Sequence, residues 1–244
     1  MKRRAFTLAE VLITLGIIGV ISMLTFPSLN ASTRAQQNRA TLKNTMSIIS
    51  NVATMNIAKN EWGFEGLDGF CTTTVSDAKK LKAETDTTVC GLFNSMLTGE
   101  EMLPYADTNG VYANGKYSAP LRANMGFGTS AGYYVSYQLQ NGAIISLPRG
   151  ASNCKESNNI NYNDYMDHTQ CIGFIDVNGV KPPNKAIACA DGTRKHIWDS
   201  SGESYISACM VEANDNSDIF PFRFYDNTVE LASNAAKGYL NNNK

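Results

Sequence analysis

The sequence predicts an α+β fold in which one long N-terminal helix packs against an antiparallel β-sheet head. An apolar run covers residues 6–29, and residues 30–59 repeat apolar side chains at helical spacing. From Asn60 onward Gly, Asn, Ser and Thr become frequent, and short alternating segments meet at turns. A helix followed by antiparallel strands is typical of folds in which the helix covers one face of the sheet.

The overall composition indicates a folded protein without an obvious charged partner. The chain has 244 residues, 43% of them hydrophobic and 18% charged, with a formal net charge of -1. This length suits one domain, or one domain plus an appendage. No basic stripe of the kind that neutralises phosphates is indicated, although the balance leaves a role in DNA uptake open.

The first element is a membrane-insertion pattern at the N-terminus. Three basic residues, Lys2, Arg3 and Arg4, precede the apolar run from Phe6 to Leu29. Its 24 residues would extend about 36 Å as a helix, which is enough for a bilayer core. Because basic residues are retained on the cytoplasmic side, we expect a single span with the head outside the cytoplasm.

Glu10 interrupts the apolar run with a carboxylate. An ionisable residue within a membrane segment is costly to bury and is therefore expected to be functional and to have a partner. The alternative is that its side chain extends to the membrane surface from near the end of the span.

The segment Ala5-Phe6-Thr7-Leu8-Ala9-Glu10, followed by VLITLGIIGVISMLTFP, resembles the processing and methylation segment of type IV prepilins. The resemblance implies that a prepilin peptidase cuts between Ala5 and Phe6 and methylates the new amino group of Phe6. Members of this family usually have glycine where this chain has Ala5. The implied domains are a cleaved leader at 1–5, a membrane and assembly half of the helix at 6–29, an amphipathic half at 30–59 and a head at 60–244.

The resemblance also implies a partner for Glu10, namely the freed amino group of a neighbouring subunit. Neutralising both charges inside an apolar bundle favours assembly after cleavage. In related filaments, the stretch that corresponds to Gly19–Pro27 loses helicity on assembly, whereas the simpler reading of Pro27 is a kink. The implied partners are other pilin or pseudopilin subunits, the prepilin peptidase and a membrane protein of the assembly platform.

Two other classes of N-terminal segment remain open. A secretory signal peptide also has a basic start and an apolar centre, but Glu10 weakens that centre. No small-x-small cleavage site follows, since the nearest candidate, Leu29-Asn30-Ala31, begins with a bulky residue. A plain signal anchor would explain the hydrophobicity but not the combination of Phe6, Glu10 and Pro27.

The spacing of apolar residues predicts the second half of the helix, and alternating segments joined by turns predict the strands of the head. Steps of three and four residues predict one buried helix face, made of Leu42, Met46, Ile49, Ala53 and Ile57. The helix is predicted to run from about Phe6 to about Lys59. The head is predicted to contain a short helix near 92–97, a hairpin of 133–140 with 143–147 through Asn141-Gly142, a strand at 171–177 and a hairpin of 222–225 with 228–231 through Asp226-Asn227.

All six cysteines lie in the head, at positions 71, 90, 154, 171, 189 and 209. An even number in an extracytoplasmic domain predicts disulfides, and fifteen connectivities are possible. We favour pairing of nearest neighbours: Cys71 with Cys90, Cys154 with Cys171, and Cys189 with Cys209. A zinc site is the weaker alternative, because no two cysteines have zinc-ligand spacing and only His168 and His196 could complete one.

A calcium site is a second candidate, because Asp176-Val177-Asn178-Gly179 resembles the start of a calcium loop. Some pseudopilins bind calcium in loops beside their sheet, and Asp191 could supply a further ligand. No acidic residue occupies the position of the usual bidentate closing ligand. The competing interpretation is a plain Asn-Gly turn.

No catalytic motif accompanies these features. Neither histidine lies in a G-x-S-x-G or H-E-x-x-H pattern, and there is no P-loop or Gly-rich dinucleotide motif. We therefore predict a non-enzymatic filament subunit of the inner membrane, later found in a periplasmic or surface filament. The alternatives are a signal-anchored periplasmic binding domain that does not polymerise and, less favoured, an anchored hydrolase.

Overall fold

The computed structural model describes residues 7–71, 87–97, 101–103, 134–156, 171–179, 181, 185–187, 211 and 215–241, with the backbone alone at 24–31, 101–103 and 134. The helices in these ranges are α1 (Leu8–Asn60), α2 (Val89–Met96) and α3 (Asn234–Asn241), with a short 3-10 helix at Phe64–Gly66. The strands are β1 (Glu101–Leu103), β2 (Tyr134–Gln138), β3 (Ile144–Pro148), β4 (Ile172–Asp176), β5 (Ile219–Tyr225) and β6 (Thr228–Leu231). The α+β prediction is confirmed.

Helix α1 begins and ends at recognisable caps. Thr7 is the N-cap, and its side chain accepts a hydrogen bond from the backbone of Glu10 while the Glu10 side chain bonds back to Thr7. This reciprocal capping box satisfies two N–H groups that the helix start leaves free. At the other end Glu61 has a positive φ of 65° and donates its N–H to the carbonyl of Ile57. The helix is thus close to the predicted one, and its backbone stays helical through Pro27.

The six strands of the described residues form one antiparallel meander in the order β1-β2-β3-β4-β5-β6. The β5–β6 turn is the two-residue Asp226-Asn227 connection that the sequence predicts, with Tyr225 opposite Thr228 and a φ of 48° at Asp226. The β2–β3 turn differs from the prediction. Leu139 pairs with Ala143, so the loop has three residues and Gly142 takes a φ of 85°. A glycine in this conformation closes three-residue hairpin loops.

The core of the head lies between the sheet, the second half of α1 and α2. Leu42, Ile49 and Ala53 of the predicted stripe are buried, as is the aromatic group of Phe64, Phe93, Tyr137, Phe222 and Phe224. The Phe64 and Phe224 rings meet edge to face at 5.1 Å between centroids. Such contacts add to the free energy gained from burial of the rings.

Two disulfide bonds lie in the described part of the head. Cys71–Cys90 links the loop after the 3-10 helix to α2, and Cys154–Cys171 closes the connection between β3 and β4. Both pairs are nearest neighbours in sequence, as the cysteine spacing predicted. Cys189 and Cys209, the third predicted pair, lie outside the described residues.

Candidate functional site

The described part of the first half of α1, Leu8–Met23, carries apolar side chains on every side, and the large ones are exposed. Between Leu8 and Met23 the large apolar side chains are all solvent-exposed: Leu8, Val11, Leu12, Ile13, Leu15, Ile17, Ile18, Val20, Ile21 and Met23. A helix that is hydrophobic all round belongs in an apolar environment. Each such side chain gains about 1.5–3 kcal/mol when it leaves water. This surface, which we call the apolar half, is therefore the candidate assembly site.

Among the described helices, none combines the length and the apolar character of a membrane span.

Glu10 is the carboxylate of the apolar half, and its side chain forms hydrogen bonds with the N-cap residue of its own helix. Its Oε2 accepts hydrogen bonds from the backbone N and the Oγ1 of Thr7, both at 2.9 Å. The Thr14 hydroxyl, one turn later, donates to the carbonyl oxygens of Glu10 and Val11. None of the salt bridges among the described residues includes Glu10. Its charge is thus hydrogen-bonded locally, on an exposed and otherwise apolar surface.

The remaining predicted assembly residues lie on the same helix. Gly19, like Gly16, would have no heavy atom within 4 Å of an added Cβ. Glycine weakens a helix interior by roughly 0.5–1 kcal/mol relative to alanine. No contact among the described residues requires a glycine at these two positions. The backbone at Pro27 is helical. Ala5 and Phe6, the predicted processing residues, lie outside the described residues.

The predicted calcium residues Asp176 and Asn178 occur together at the end of β4, whereas Asp191 lies outside the described residues. The Asp176 Oδ1 accepts the N–H of Asn178, and the Asn178 amide donates to Asp218 Oδ2 at 2.8 Å. Gly179 has a φ of 67°. Among the described residues no group of three or more His, Cys, Asp or Glu side chains could hold a metal ion. The segment forms a turn braced by Asp218, and calcium binding stays a prediction.

The junction between α3 and the middle of α1 was not predicted from the sequence. The buried Tyr239 donates its hydroxyl to the carbonyl of Ala35 at 3.1 Å, and Arg39 Nε donates to the carbonyl of Tyr239 at 2.9 Å. The Arg39 guanidinium also lies 4.7 Å from the centroid of the Tyr239 ring. Burial raises the pKa of Tyr239 to about 12. These contacts fix α1 where it leaves the head.

One sequence signal could have located α3. Ser233 precedes it and accepts a hydrogen bond from the N–H of Ala236 at 3.1 Å. A serine directly before a run of helix-forming residues is typical of a helix start. Here Ser233 precedes Asn-Ala-Ala, and Tyr239 follows Ala236 by three residues, on the same side of the helix.

No curated protein and no solved structure matches this chain. A match to a family model covers the segment that contains Glu10 and Gly19. Residues 1–26 match the prokaryotic N-terminal methylation motif, and the chain therefore carries the prepilin signature of type IV pilins and pseudopilins.

Proposed function

We propose that this chain is a structural prepilin, a non-enzymatic subunit of a type IV pilus or a type II secretion pseudopilus. The observation that carries the proposal is the apolar half of α1, which lies outside the core of the head and is exposed on all sides. The match of residues 1–26, which include the apolar half, to the methylation motif also supports it. In this function the apolar half anchors the precursor in the inner membrane and then joins a helical bundle in the filament.

Processing at Phe6 is the first step of the proposed function. A prepilin peptidase cleaves the bond between Ala5 and Phe6, and the new amino group of Phe6 is methylated. The start of α1 is compatible with this position, because the helix begins two residues later and its N-cap, Thr7, is extended with a ψ of 150°. Removal of residues 1–5 also removes the basic residues that hold the N-terminus at the cytoplasmic surface.

Charge pairing at Glu10 is the second step. Before cleavage the nitrogen of Phe6 is an uncharged amide, and afterwards it is a cationic amine. In the low-dielectric interior of a bundle, this amine and the Glu10 carboxylate of a neighbouring subunit neutralise each other. Glu10 can exchange its bonds to Thr7 for this partner, because both of those groups are exposed. Processing thereby controls assembly.

The stretch Gly19–Pro27 is the third proposed assembly feature. Its backbone is helical in the isolated chain. Gly19 lowers the helix propensity, and Pro27 lacks the N–H that would bond one turn back. We propose that this stretch loses helicity when the subunit joins a filament with the help of the assembly platform. A proline kink without unwinding is the competing outcome.

The test combines identification of the mature N-terminus with two variants of Glu10. Mass spectrometry of filaments and membranes should find N-methylphenylalanine at position 6. Exchange of Glu10 for Ala should leave membrane insertion intact and reduce incorporation into filaments at least tenfold, while Glu10→Gln separates loss of charge from loss of side-chain volume. An intact Met1 or a cut near Ala31 would contradict the prepilin assignment and favour a signal-anchored binding domain. Normal assembly of the Glu10→Ala chain would refute the charge-pairing step.

A further inference from the structure

The charges of α1 are distributed unevenly, although the net charge of the whole chain is only -1. No aspartate or glutamate occurs anywhere in residues 11–60. That range contains four cations, and three of them follow the apolar run closely: Arg34, Arg39 and Lys43. We call these three residues the basic collar. The collar lies where the helix passes from the apolar run into the head.

Positive charge at this position opposes insertion of the chain in its expected orientation. Lysine and arginine within about 15–20 residues of the end of a membrane span favour the cytoplasmic side. The collar therefore acts against the orientation that Lys2, Arg3 and Arg4 favour at the other end of the run. Insertion does not explain the collar, which leaves the fold of the head or a partner outside the subunit.

The fold of the head accounts for one of the three collar cations. Arg39 donates from its Nε to the carbonyl of Tyr239 at 2.9 Å, and its guanidinium lies over the Tyr239 ring. Arg34 and Lys43, in contrast, are exposed, and no salt bridge among the described residues includes either of them. The charges of Arg34 and Lys43 are thus accessible to a negatively charged partner outside the subunit.

The geometry of α1 places Arg34 at the level of the lipid headgroups. With Glu10 at the cytoplasmic surface, residues 11–29 form an uncharged helix of about 28 Å, which matches a hydrocarbon core of about 30 Å. At a rise of 1.5 Å per residue, Arg34 then lies about 7.5 Å beyond that core, and the headgroup layer is about 5–7 Å thick. The Arg34 side chain leans back toward this layer, because side chains of a helix tilt toward its N-terminus. Lys43 lies about 21 Å beyond the core, outside the layer.

We propose that Arg34 binds the phosphate of an anionic phospholipid in the extracytoplasmic leaflet of the inner membrane. This inference rests on the proposed function, which places the apolar run in that membrane. A guanidinium binds phosphate through two parallel N–H donors, and basic residues near an anionic surface add to the attraction. The occupant is a lipid, because Arg34 adjoins the apolar run and precedes Ala35, where α1 meets Tyr239 of the head.

The contribution of each collar cation should fall with its distance from the membrane. Charges further than about 8 Å from a partner are largely screened at physiological ionic strength. Arg34 is therefore the main lipid contact, and Lys43 adds little. The contact stabilises the membrane-bound precursor at one depth, and it breaks when the subunit leaves the membrane for a filament.

The test uses the full chain in nanodiscs that contain phosphatidylglycerol and phosphatidylcholine in equal amounts. A photo-crosslinking amino acid in place of Thr33, the exposed neighbour of Arg34, should form more adducts with phosphatidylglycerol, as measured by mass spectrometry. Arg34→Gln should reduce this preference about fivefold. Lys43→Gln removes the same charge at a more distant exposed position and should reduce the preference less than about twofold. Equal effects of the two variants, or no preference before substitution, would overturn the proposal.

A second measurement separates a lipid partner from a protein partner. In cells, Arg34→Gln should leave the amount of filament within about twofold of the unmodified chain, because an exposed charge contributes little to contacts between subunits. Loss of filaments with an unchanged lipid preference would assign Arg34 to a subunit contact and overturn the proposal. A chain that does not insert into nanodiscs would contradict the membrane anchor of the proposed function, and this proposal with it. An inserted chain without lipid preference would contradict this proposal alone.

Discussion

Residues Leu8–Met23 and Ala35–Asn60 belong to one continuous helix, but their apolar side chains have opposite surroundings. Ile17 in the first half is 56% exposed, whereas Ile49 in the second half is 0% exposed. The second half is amphipathic and packs its apolar face on the head. The first half has no apolar partner among the described residues. Stability of the head therefore explains the apolar side chains of the second half but not those of the first. Under the proposed function, contacts with other subunits explain the first half.

The largest expected difference in the free energy of unfolding is between an Ile→Ala substitution in the second half of α1 and the same substitution in the first half. Ile49→Ala should lower the free energy of unfolding of the head by about 2–5 kcal/mol, because it removes buried methyl groups and leaves a cavity. Ile17→Ala should change it by less than about 0.5 kcal/mol, as for other exposed positions. Denaturant unfolding of the purified chain in detergent measures both. Equal losses would show that the first half is part of the folding unit of the head.

The second prediction concerns the disulfide that fastens α2 beside the second half of α1. Replacing Cys71 and Cys90 by Ser should lower the unfolding free energy by about 3 kcal/mol, since the bond closes a loop with a sequence separation of 19. The helicity of the apolar half should not change, because the bond lies wholly in the head. Far-UV circular dichroism and denaturant unfolding, each compared with mild reduction of the unmodified chain, measure the two effects. An unchanged unfolding midpoint would contradict the role of this bond as a clamp.

The sequence was a reliable guide where apolar side chains repeat and an unreliable one where polar contacts decide the structure. Leu42, Ile49 and Ala53 are buried as their spacing predicted, but Ile57 is 37% exposed while Asn56 is buried. The buried face turns at the end of α1 because the Asn56 amide bonds to the carbonyl of Trp62. Periodicity of apolar residues cannot indicate a buried amide.

Polar contacts and short elements also explain where else the structure differs from the one predicted from the sequence. The β2–β3 turn was predicted with two residues because Asn141-Gly142 favours such turns, yet Asn141 instead bonds across to Thr45 of α1 and to the N–H of Ala143. Strand β1 has three residues, which is too short for an alternating pattern. Of the candidate site, Glu10 and Gly19 were identifiable from the sequence because a carboxylate and a glycine stand out in an apolar run. The junction at Tyr239 was not, because its partners are backbone carbonyls far away along the chain.

The smallest predicted effect is at that junction, where the two halves of α1 meet. Tyr239→Phe removes the hydrogen bond to Ala35 and should lower the unfolding free energy by about 1 kcal/mol near neutral pH. It should also change the pH dependence. The folded pKa of Tyr239 is about 12, above the value of about 10 expected when unfolded. Between these values the unfolded chain binds fewer protons than the folded chain, so the stability of the unmodified chain falls as the pH rises.

In the Tyr239→Phe chain this additional fall above pH 10 should be absent, so the difference in stability between the two chains should shrink and then reverse. Tyr225→Phe is the matched control, because Tyr225 lies at the end of β5, away from the α1–α3 junction, with the Arg223 guanidinium 4.2 Å from the centroid of its ring. Denaturant unfolding from pH 7 to 11.5 measures the difference. Parallel curves for all three chains would mean that the Tyr239 hydroxyl ionises as readily in the folded chain as in water. The junction would then be open to solvent, and α3 would not fix the point at which α1 leaves the head.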